Sequence, residues 1–587
     1  MTTFNFSSGT IIGAFVPDSD VIAFPLGASA KNLSFRQNGL DLTINSSLGS
    51  ITVNNLSYQQ LVSSSLTFAD GSSFLIGTAL DNTLAGSAGN DYLDGLSGND
   101  SLSGGDGNDV LYGKDGDDTL VGGTGYDELY GGTGNDLLDA SAGDASTEGG
   151  GDYIRPGTGS NTIVGNATLF AANQGIFLSY QDVTGSGGLQ IVVGDDGSGT
   201  VTSSNAGVVN DTFTYAYIFA GSSDADRMTG SANAYYEGWR GLAGNDSLDG
   251  GAGYDEVRYE NDYGRGGTSG VNVNLQTGIA IDGFGDTDTL SNMEAVRGTR
   301  LADVFTSSSD IEFQSFRPLA GNDTVIGSSA IDRIDYSRDS NYGGNAGVVV
   351  NLATGIATDG FGDTDTFSNI DWVRGTAFND QLTGNDGNNR LEGLDGNDIL
   401  LGGNGIDTAT YNANRANFTV TKTASGFSVS DTVGSEGTDL LGNIERLNFS
   451  DTKLAMDLGS TEHAGQALEF IGLMAPALIG DRSVVGTILG LFDQGNSLHD
   501  VCQLALDVGL VNSIAGSNTN EALAAMAFKN VLGFEADDAM VHELVGYMDG
   551  RHASYTQADF MAVVAGLELN QHHIGLVGLQ QTGVEYF

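Results

Sequence analysis

The sequence predicts a mainly β protein: a parallel β-roll or β-solenoid, with an N-terminal β-rich region before it and an α-helical region after it. Three observations lead to this prediction. Glycine-rich nonapeptides recur in tandem, a longer module recurs in the middle of the chain, and the spacing of apolar residues becomes helical after about Asp457. The predicted regions are 1–76, 77–165, 166–456 and 457–587, and a chain of 587 residues can accommodate several domains.

Residues 1–76 are predicted to form strands. Polar and apolar residues alternate in "NGLDLTINSSLGSITVNN" from Asn38 to Asn55, a pattern typical of strands with one buried face. The ends of a solenoid expose unpaired backbone groups. We therefore expect the N-terminal region to cap one end of the solenoid and the helical region to cap the other.

Residues 77–165 contain the clearest repeat. Six nonapeptides follow one another without a gap from Gly86 to Asp139: GSAGNDYLD, GLSGNDSLS, GGDGNDVLY, GKDGDDTLV, GGTGYDELY and GGTGNDLLD. Positions one and four are always Gly, position six is always Asp and position eight is always Leu. A turn at positions one to six followed by a short strand fits this pattern, so two nonapeptides would form one coil with Leu pointing inward.

The charge of the chain indicates what such coils require. Asp and Glu total 75 against 22 Lys and Arg, a formal net charge of −53, which disfavours nucleic acid and anionic membrane surfaces as partners. Stacked coils would place Asp91 and Asp109, which are two nonapeptides apart, on the same edge, where their carboxylates repel each other. A hard divalent cation reverses this repulsion, and Ca²⁺ accepts both carboxylate and backbone carbonyl oxygens. Mg²⁺ fits less well because it demands strict octahedral geometry and retains its waters.

These repeats resemble the RTX family of secreted calcium-binding proteins, whose nonapeptide reads G-G-x-G-x-D-x-(apolar)-x. The resemblance implies that several Ca²⁺ ions sit between adjacent turns, held by Asp carboxylates and by carbonyls of the glycine-rich turn. The expected partner pairs are Asp91/Asp109, Asp100/Asp118, Asp109/Asp127, Asp118/Asp136 and Asp380/Asp398. The full set of expected metal-site residues is Asp91, Asp100, Asp109, Asp118, Asp127, Asp136, Gly104, Gly113, Gly122, Gly131, Asp246, Asp255, Asp323, Asp332, Asp380, Asp398 and Asp407. Asn389 stands where Asp is expected and should weaken the edge that it shares with Asp407.

Residues 166–456 are predicted to form about four related β-solenoid modules with nonapeptides at their junctions. "VNVNLQTGIAIDGFGDTDTLSNMEAVRGT" begins at Val271 and "VVVNLATGIATDGFGDTDTFSNIDWVRGT" begins at Val348, and degenerate copies occur on either side. Isolated aspartates such as Asp226, Asp288 and Asp303 fit a simpler role as turn formers. The segment "DGFGDTDT" occurs twice and is dense in carboxylates, but it has no ligand spacing that the sequence lets us assign.

Residues 457–587 are predicted to form helices. Ser497 with Asp500 and Thr556 with Asp559 have the spacing of capping boxes. The tail resembles the helical region at the end of RTX proteins, and "VGLQQTGVEYF" resembles their uncleaved C-terminal signal for type I secretion from Gram-negative bacteria. The N-terminus has no basic segment followed by an apolar core, which is compatible with a cytoplasmic protein or with export that does not read the N-terminus. The resemblance favours a secreted or cell-surface protein that folds on Ca²⁺ outside the cell.

Other sequence features limit the function classes. No stretch is apolar for long enough to predict a membrane-spanning helix, and the single cysteine, Cys502, allows no intramolecular disulfide. The sequence contains no H-E-x-x-H and no G-x-S-x-G motif, and all six His lie after residue 462, so we expect no enzyme.

Three functional hypotheses remain. The first is a structural or cell-surface protein, that is, a surface-layer subunit, matrix component or adhesin, with calcium-dependent self-association. The second is a polysaccharide-acting enzyme, which a groove lined by aromatic and acidic residues outside the calcium turns would favour. The third is a passive calcium buffer.

Overall fold

The structure is a computed structural model that describes residues 2–142 and 151–587. The chain divides into two compact units, Met1–Arg317 and Pro318–Phe587. The predicted fold class is confirmed, because long columns of parallel strands form a solenoid-like roll and a helical region follows it. The domain boundaries predicted from the sequence remain a prediction.

The first compact unit begins with two small sheets that share a core. One sheet is parallel in the order β1-β3-β7, and the other has the order β2-β6-β5-β4. Buried Ile22, Phe24, Leu42 and Ile44 pack in the same apolar cluster as Tyr92 of the following nonapeptides, so this region lies against the first coils. The strands are β1 (Thr3–Asn5), β2 (Ile11–Ile12), β3 (Val21–Phe24), β4 (Ser34–Asn38), β5 (Asp41–Ser46), β6 (Gly49–Val53) and β7 (Leu66–Phe68).

The rest of the first unit is built from two columns of strands that alternate along the chain. The strands are β8 (Phe74–Thr78), β9 (Thr83–Ala85), β10 (Tyr92–Leu96), β11 (Ser101–Asp106), β12 (Val110–Asp115), β13 (Thr119–Thr124), β14 (Glu128–Thr133), β15 (Leu137–Asp139), β16 (Tyr153–Thr158), β17 (Thr162–Val164), β18 (Ile176–Ser179), β19 (Leu189–Val193), β20 (Ser198–Ser203), β21 (Asn210–Thr214), β22 (Ala216–Ala220), β23 (Arg227–Thr229), β24 (Tyr235–Arg240), β25 (Ser247–Asp249), β26 (Gly253–Arg258), β27 (Asn272–Asn274), β28 (Ile279–Ile281), β29 (Thr287–Ser291), β30 (Ala295–Arg297), β31 (Val304–Thr306) and β32 (Phe313–Arg317). A short helix, α1 (Ala167–Ala171), follows β17.

The position-eight leucines set the register of these columns. Leu93 pairs with Leu111 in one column, and Leu102 pairs with Leu120 in the other, so each partner lies one coil, or two nonapeptides, further along the chain. These side chains are at most 1% exposed, as the nonapeptide pattern predicts. Each coil therefore places two leucines in the interior, and the acidic turns lie between the strands.

The modules contain an antiparallel element that the sequence interpretation missed. Within the described residues, three-stranded antiparallel inserts occur at β19-β20-β21 and β27-β28-β29, while their outer strands continue the parallel column. Only residues 275–278 connect β27 to β28. Such a short connection allows a hairpin and not a parallel crossover, so the strand direction must reverse.

The second compact unit repeats this architecture and ends in helices. Its strands are β33 (Thr324–Ile326), β34 (Ile331–Asp335), β35 (Val349–Asn351), β36 (Ile356–Thr358), β37 (Thr364–Ser368), β38 (Trp372–Arg374), β39 (Gln381–Thr383), β40 (Arg390–Glu392), β41 (Ile399–Leu401), β42 (Thr408–Thr410), β43 (Phe418–Lys422), β44 (Phe427–Asp431), β45 (Thr438–Gly442), β46 (Arg446–Asn448), β47 (Lys453–Ala455) and β48 (Val584–Tyr586). Strands β35-β36-β37 and β43-β44-β45 form the antiparallel inserts of this unit.

The helices pack around one apolar core that includes Leu468, Phe470, Phe492 and Met561. They are α2 (His463–Met474), α3 (Arg482–Asp493), α4 (Leu498–Asp507), α5 (Leu510–Ala515), α6 (Asn520–Leu532), α7 (Asp538–Val545), α8 (Gln557–Ala565), α9 (Glu568–His573) and α10 (Leu576–Leu579). The two capping boxes predicted from the sequence begin α4 and α8. After α10 the chain ends in β48, which pairs antiparallel with β47. Within the described residues, every helix is too short or too polar to cross a bilayer.

Candidate calcium sites

The nonapeptide aspartates form ladders along the turns. In each ladder one carboxylate oxygen, Oδ1, accepts a hydrogen bond from the backbone N–H of the aspartate one coil earlier. The donor–acceptor distances are 2.7 Å for Asp91→Asp109, Asp100→Asp118 and Asp109→Asp127, 2.9 Å for Asp118→Asp136, and 2.8 Å for Asp380→Asp398. The structure thus brings together all five pairs that a spacing of two nonapeptides predicts to be neighbours.

The second carboxylate oxygen, Oδ2, distinguishes one group of these aspartates. It is buried and accepts no hydrogen bond in Asp100, Asp109, Asp118, Asp136, Asp246, Asp255, Asp398 and Asp407. These residues are at most 3% exposed. A buried carboxylate oxygen without a partner is costly, so each of these turns requires a proton or a cation.

The residue at position two, four residues before the aspartate, decides whether Oδ2 has a partner. In this group, position two is in the left-handed conformation, with φ between 72° and 116°, at Leu96, Gly105, Lys114, Gly132, Leu242, Gly251, Leu394 and Gly403. In a second group, position two is Ser or Thr with ordinary backbone angles. Its N–H donates to Oδ2 in Ser222–Asp226 (2.6 Å), Thr299–Asp303 (2.6 Å), Ser328–Asp332 (2.6 Å), Thr376–Asp380 (2.7 Å) and Ser87–Asp91.

The predicted site residues therefore fall into different surroundings. Asp91, Asp332 and Asp380 have carboxylates that their own turns supply with donors, whereas Asp109 and its group do not. The turns of Asp127 and Asp323 have left-handed residues, Gly123 and Leu319, at position two. These turns therefore share the backbone geometry of the Asp109 group. The interpretation of Asp226 and Asp303 as turn formers fits their hydrogen bonds.

Asn389 differs from the aspartates in the way that its chemistry requires. Its Oδ1 accepts a hydrogen bond of 2.7 Å from the N–H of Asn385, and its buried Nδ2 has no acceptor. An amide nitrogen is a donor and cannot ligate a cation in place of a carboxylate oxygen. The weaker edge expected between Asn389 and Asp407 remains a prediction.

The position-one glycines provide the space in front of the free oxygens. A Cβ atom on Gly104, Gly113 or Gly131 would overlap Oδ2 of the aspartate in the same nonapeptide, and the same holds for Gly122 and Asp127. The carbonyl oxygens of Gly122 and Gly131 border the same spaces at Gly104 and Gly113, respectively. A carboxylate oxygen and a carbonyl oxygen from successive coils thus face one small gap, and this donor set fits Ca²⁺.

Burial also alters the titration of these carboxyl groups. Desolvation raises the pKa of Asp109 and Asp136 to about 7 and that of Asp118 to about 6, and the neighbouring aspartates add repulsion. In the modules it raises the pKa of Asp246 and Asp255 to about 9, with the carboxylates of Asp288 and Glu237 as further causes. Near neutral pH, protons and cations therefore compete for the same oxygens.

Several ladder members could not be identified from the nonapeptide spacing. The N–H of Asp398 donates to Asp439, 41 residues later, at 2.9 Å. The N–H groups of Asp255 and Asp407 donate to Glu294 and Glu445, 39 and 38 residues later, each at 2.8 Å. An antiparallel insert or a longer loop separates these coils, so the nonapeptide period is lost although the ladder continues.

Comparison with known proteins identifies the repeats. The family described as the RTX calcium-binding nonapeptide repeat matches four segments, residues 76–111, 112–145, 240–258 and 374–409. No curated protein matches the chain. Among the described residues, no group of three or more His, Cys, Asp or Glu side chains is arranged to hold a metal ion by itself. The resemblance inferred from the nonapeptides is confirmed: the chain contains RTX calcium-binding nonapeptide repeats.

Proposed function

We propose that this protein is exported unfolded, binds several Ca²⁺ ions outside the cell, and then serves as a structural component of the cell surface. The observation that carries the proposal is the row of buried, unpartnered Oδ2 atoms, which face the spaces left by position-one glycines. At low calcium these carboxylates repel one another and oppose folding. At the millimolar calcium typical of extracellular fluids, cation binding and folding become one event.

The residues proposed to hold Ca²⁺ are those with left-handed position two. In the first run they are Asp100, Asp109, Asp118, Asp127 and Asp136, with carbonyl oxygens such as those of Gly122 and Gly131. The further proposed ligands are Asp246, Asp255, Asp323, Asp398 and Asp407. When bound, the cation supplies positive charge that offsets the negative charge of adjacent carboxylates. The protein supplies oxygen ligands from successive coils, which come together only when the coils stack.

Asp91, Asp332 and Asp380 receive a different role in this proposal. The N–H of Ser or Thr at position two already donates to Oδ2 of the aspartate, so these turns do not require a cation at that oxygen. Asp380 and Asp91 still accept the backbone N–H of Val348 and Ser73, at 2.7 and 2.5 Å. We propose that such turns hold coils in register and mark the ends of calcium-bound rows.

The proposed structural role predicts calcium-dependent self-association. Even with the turns occupied, a chain with a formal charge of −53 keeps acidic faces, which Ca²⁺ can bridge between molecules. Static light scattering during a calcium titration tests this: particle mass should rise after the folding transition and fall again on chelation. A protein that folds in calcium but stays monomeric at high concentration would contradict the surface-layer role.

The proposed export route has its own test. A variant that ends at Gly533, and so lacks α7 to α10 and β48, should stay inside a bacterium that carries a type I secretion system, because the tail resembles the signal of that route. Residues 86–139 should still become protease-resistant on calcium addition, since their ladder hydrogen bonds do not involve the tail. Recovery of the truncated chain from the medium at the normal level would contradict the assignment of the signal.

A cleft with aromatic and charged lining residues supports polysaccharide binding as a second candidate function. A cleft of about 470 Å³ on the first unit is lined by Tyr112, Tyr130, Lys114, Arg155 and Asp182, among others. The rings of Tyr112 and Tyr130 stack with centroids 4.5 Å apart, and Arg155 lies over both Tyr130 and Tyr153. Aromatic faces pack against the apolar faces of sugar rings, and the cations would favour acidic sugars.

The cleft meets the sequence criterion for a polysaccharide-acting protein only in part, because Lys114, Gly131 and Gly132 of its lining belong to the calcium turns. Tyr58 extends the aromatic lining in an adjoining cleft and donates a hydrogen bond of 2.6 Å to Asp94. Glycan-array binding of the calcium-loaded protein tests this function, with the Tyr112→Ala/Tyr130→Ala variant as comparison. Retention of an acidic polysaccharide by the wild type and its loss in the variant would favour this function; equal binding would exclude this groove.

A further inference from the structure

We propose that the modules contain a second kind of cation site, distinct from the nonapeptide turns. The site is formed by the octapeptide loop "DGFGDTDT", which occurs as Asp282–Thr289 and as Asp359–Thr366. Each loop acts together with an aspartate 20 residues before its first residue, Asp262 or Asp339. The ligands are Asp262 and Asp282 in the first compact unit, and Asp339 and Asp359 in the second. The ligand class is a hard divalent cation, Ca²⁺ in an extracellular setting.

The first-unit loop leaves one carboxylate oxygen unused. Asp282 Oδ1 accepts hydrogen bonds from the N–H groups of Phe284 at 3.0 Å and Asp286 at 2.7 Å. Asp282 Oδ2 is buried and accepts none, and the residue as a whole is 0% exposed. Asp262 joins the loop because its Oδ2 accepts the Gly283 N–H at 3.0 Å.

The equivalent loop of the second unit reproduces this arrangement. Asp359 Oδ1 accepts from Phe361 at 3.0 Å and from Asp363 at 2.7 Å, and Asp339 Oδ2 accepts from Gly360 at 3.0 Å. Here Asp339 Oδ1 and Asp359 Oδ2 are both buried without a hydrogen-bond partner. Both residues are 1% exposed. Two buried carboxylates on adjoining segments thus each present an unused oxygen.

The other buried carboxylate of each loop is already occupied. Asp365 Oδ1 accepts the N–H of Asp323 at 3.0 Å, and its Oδ2 accepts the Tyr336 hydroxyl at 2.9 Å. Asp288 is held in the same way by Asp246 and Tyr259, at 3.0 and 3.3 Å. Within these described loops and their partner aspartates, the buried oxygens without a hydrogen-bond partner are therefore Asp282 Oδ2, Asp339 Oδ1 and Asp359 Oδ2.

The surroundings of these pairs are acidic. Besides desolvation, the charged groups that raise the pKa of Asp262 are Asp282, Glu260 and Asp288. For Asp339 they are Asp359, Asp365 and Asp335. The atoms available as ligands are oxygens, which a hard cation prefers over softer metals, and a bound cation would offset this repulsion. A shared proton is the alternative, and the experiment separates the two.

Native mass spectrometry of the calcium-loaded full-length protein tests the proposal by counting bound ions. Asp282→Asn and Asp359→Asn should each lose one Ca²⁺ per chain, and the double variant should lose two. Asp286→Asn and Asp363→Asn are matched controls, because these half-buried residues lie in the same loops and accept N–H groups from Gly244 and Gly321. The controls should keep the full count. An unchanged count in the folded double variant would mean that the carboxyls share a proton, and would overturn the proposal.

Wild-type protein provides a second measurement that does not depend on variant folding. Crystals grown with Tb³⁺ in place of Ca²⁺ should show anomalous-scattering peaks beside Asp262/Asp282 and Asp339/Asp359, in addition to peaks at the nonapeptide turns. Peaks at the nonapeptides without peaks at the octapeptide loops would overturn this inference alone. Peaks at neither place would contradict the proposed calcium-dependent function as well.

Discussion

The turn Gly104–Asp109 in the tandem run and the turn Gly221–Asp226 in the first module have the same glycine and aspartate at the same spacing, yet their carboxylates differ. Asp109 Oδ2 is buried and unpartnered after left-handed Gly105, whereas Asp226 Oδ2 accepts a 2.6 Å hydrogen bond from the N–H of Ser222. The hydroxyl of Ser222 also donates to Asp226 Oδ1 at 2.9 Å. The difference shows that position two, and not the aspartate, determines whether the turn itself supplies a hydrogen-bond donor to Oδ2.

The two kinds of turn are distributed unevenly. From Asp100 to Asp136 every nonapeptide has a left-handed position two, so turns of this kind stack without interruption. In the modules, turns that supply their own donors, such as those of Asp226, Asp303 and Asp332, are interspersed with turns of the first kind, such as those of Asp246 and Asp255. We therefore expect the tandem run to depend most strongly on calcium.

The largest expected effect is that of removing ligands from the run. Asp109→Asn combined with Asp118→Asn should raise the calcium concentration at the folding midpoint by about tenfold or more, since each change removes a charge-assisted contact. Circular dichroism during calcium titration measures the midpoint. Asp226→Asn is the comparison: it should lower thermal stability, because the Ser222 N–H loses its acceptor, with little shift of the calcium midpoint. Equal midpoint shifts in both variants would break the distinction between the two turns.

Filling one glycine space should have a smaller but clear effect. A methyl group in Gly104→Ala would overlap Asp109 Oδ2 and approach the carbonyl oxygen of Gly122. We expect a loss of about 1–3 kcal/mol in unfolding free energy in calcium, the usual cost of overpacking. Gly13→Ala is the control, because no atom lies within 4 Å of its added Cβ. Chemical denaturation in excess calcium measures both, and equal stability of the two variants would contradict the tight gap at Gly104.

The pKa shifts predict opposite pH dependences with and without metal. Because burial raises the pKa of Asp109 and Asp136 to about 7 in the fold, the metal-free fold binds more protons than the unfolded chain between about pH 4 and 7. Metal-free stability should therefore fall as the pH rises through this window. Calcium affinity should instead rise over the same window, because protons leave the ligand oxygens. Circular dichroism in chelator and in calcium at pH 5 and 8 checks both signs; parallel pH profiles would contradict the account.

The smallest expected effect is the conversion of a single turn. Lys114→Ser should let position two take ordinary backbone angles and donate to Asp118, as Ser222 does to Asp226. The variant should bind one Ca²⁺ fewer and fold at slightly lower calcium than the control Lys114→Gly, which retains the left-handed preference. Native mass spectrometry gives the count. A full calcium count in Lys114→Ser would show that position two does not decide occupancy.

Much of this arrangement could be predicted from the sequence because it depends on local period. The inward leucines such as Leu111 and the neighbouring pair Asp91/Asp109 follow from a coil of two nonapeptides. The sequence does show which turns have Ser or Thr after the first glycine. It does not show that the backbone N–H of this residue points at Oδ2 of the aspartate, because that depends on the backbone angles of the turn. Glu294 and Glu445 could not be predicted, because inserts and loops of different length break the period before the ladder resumes. The pair Asp339/Asp359 depends on a loop folding back on itself, which spacing alone does not encode.

Calcium binding and β-structure formation, followed together in one titration at neutral pH, test the central claim most directly. Starting from protein in chelator, bound calcium and the circular dichroism signal should rise together near millimolar calcium, from a largely disordered chain to the β-rich fold. A protein that already has its full β-structure in chelator, or whose spectrum stays the same as calcium binds, would contradict the claim that the free carboxylate oxygens of the turns make folding depend on calcium.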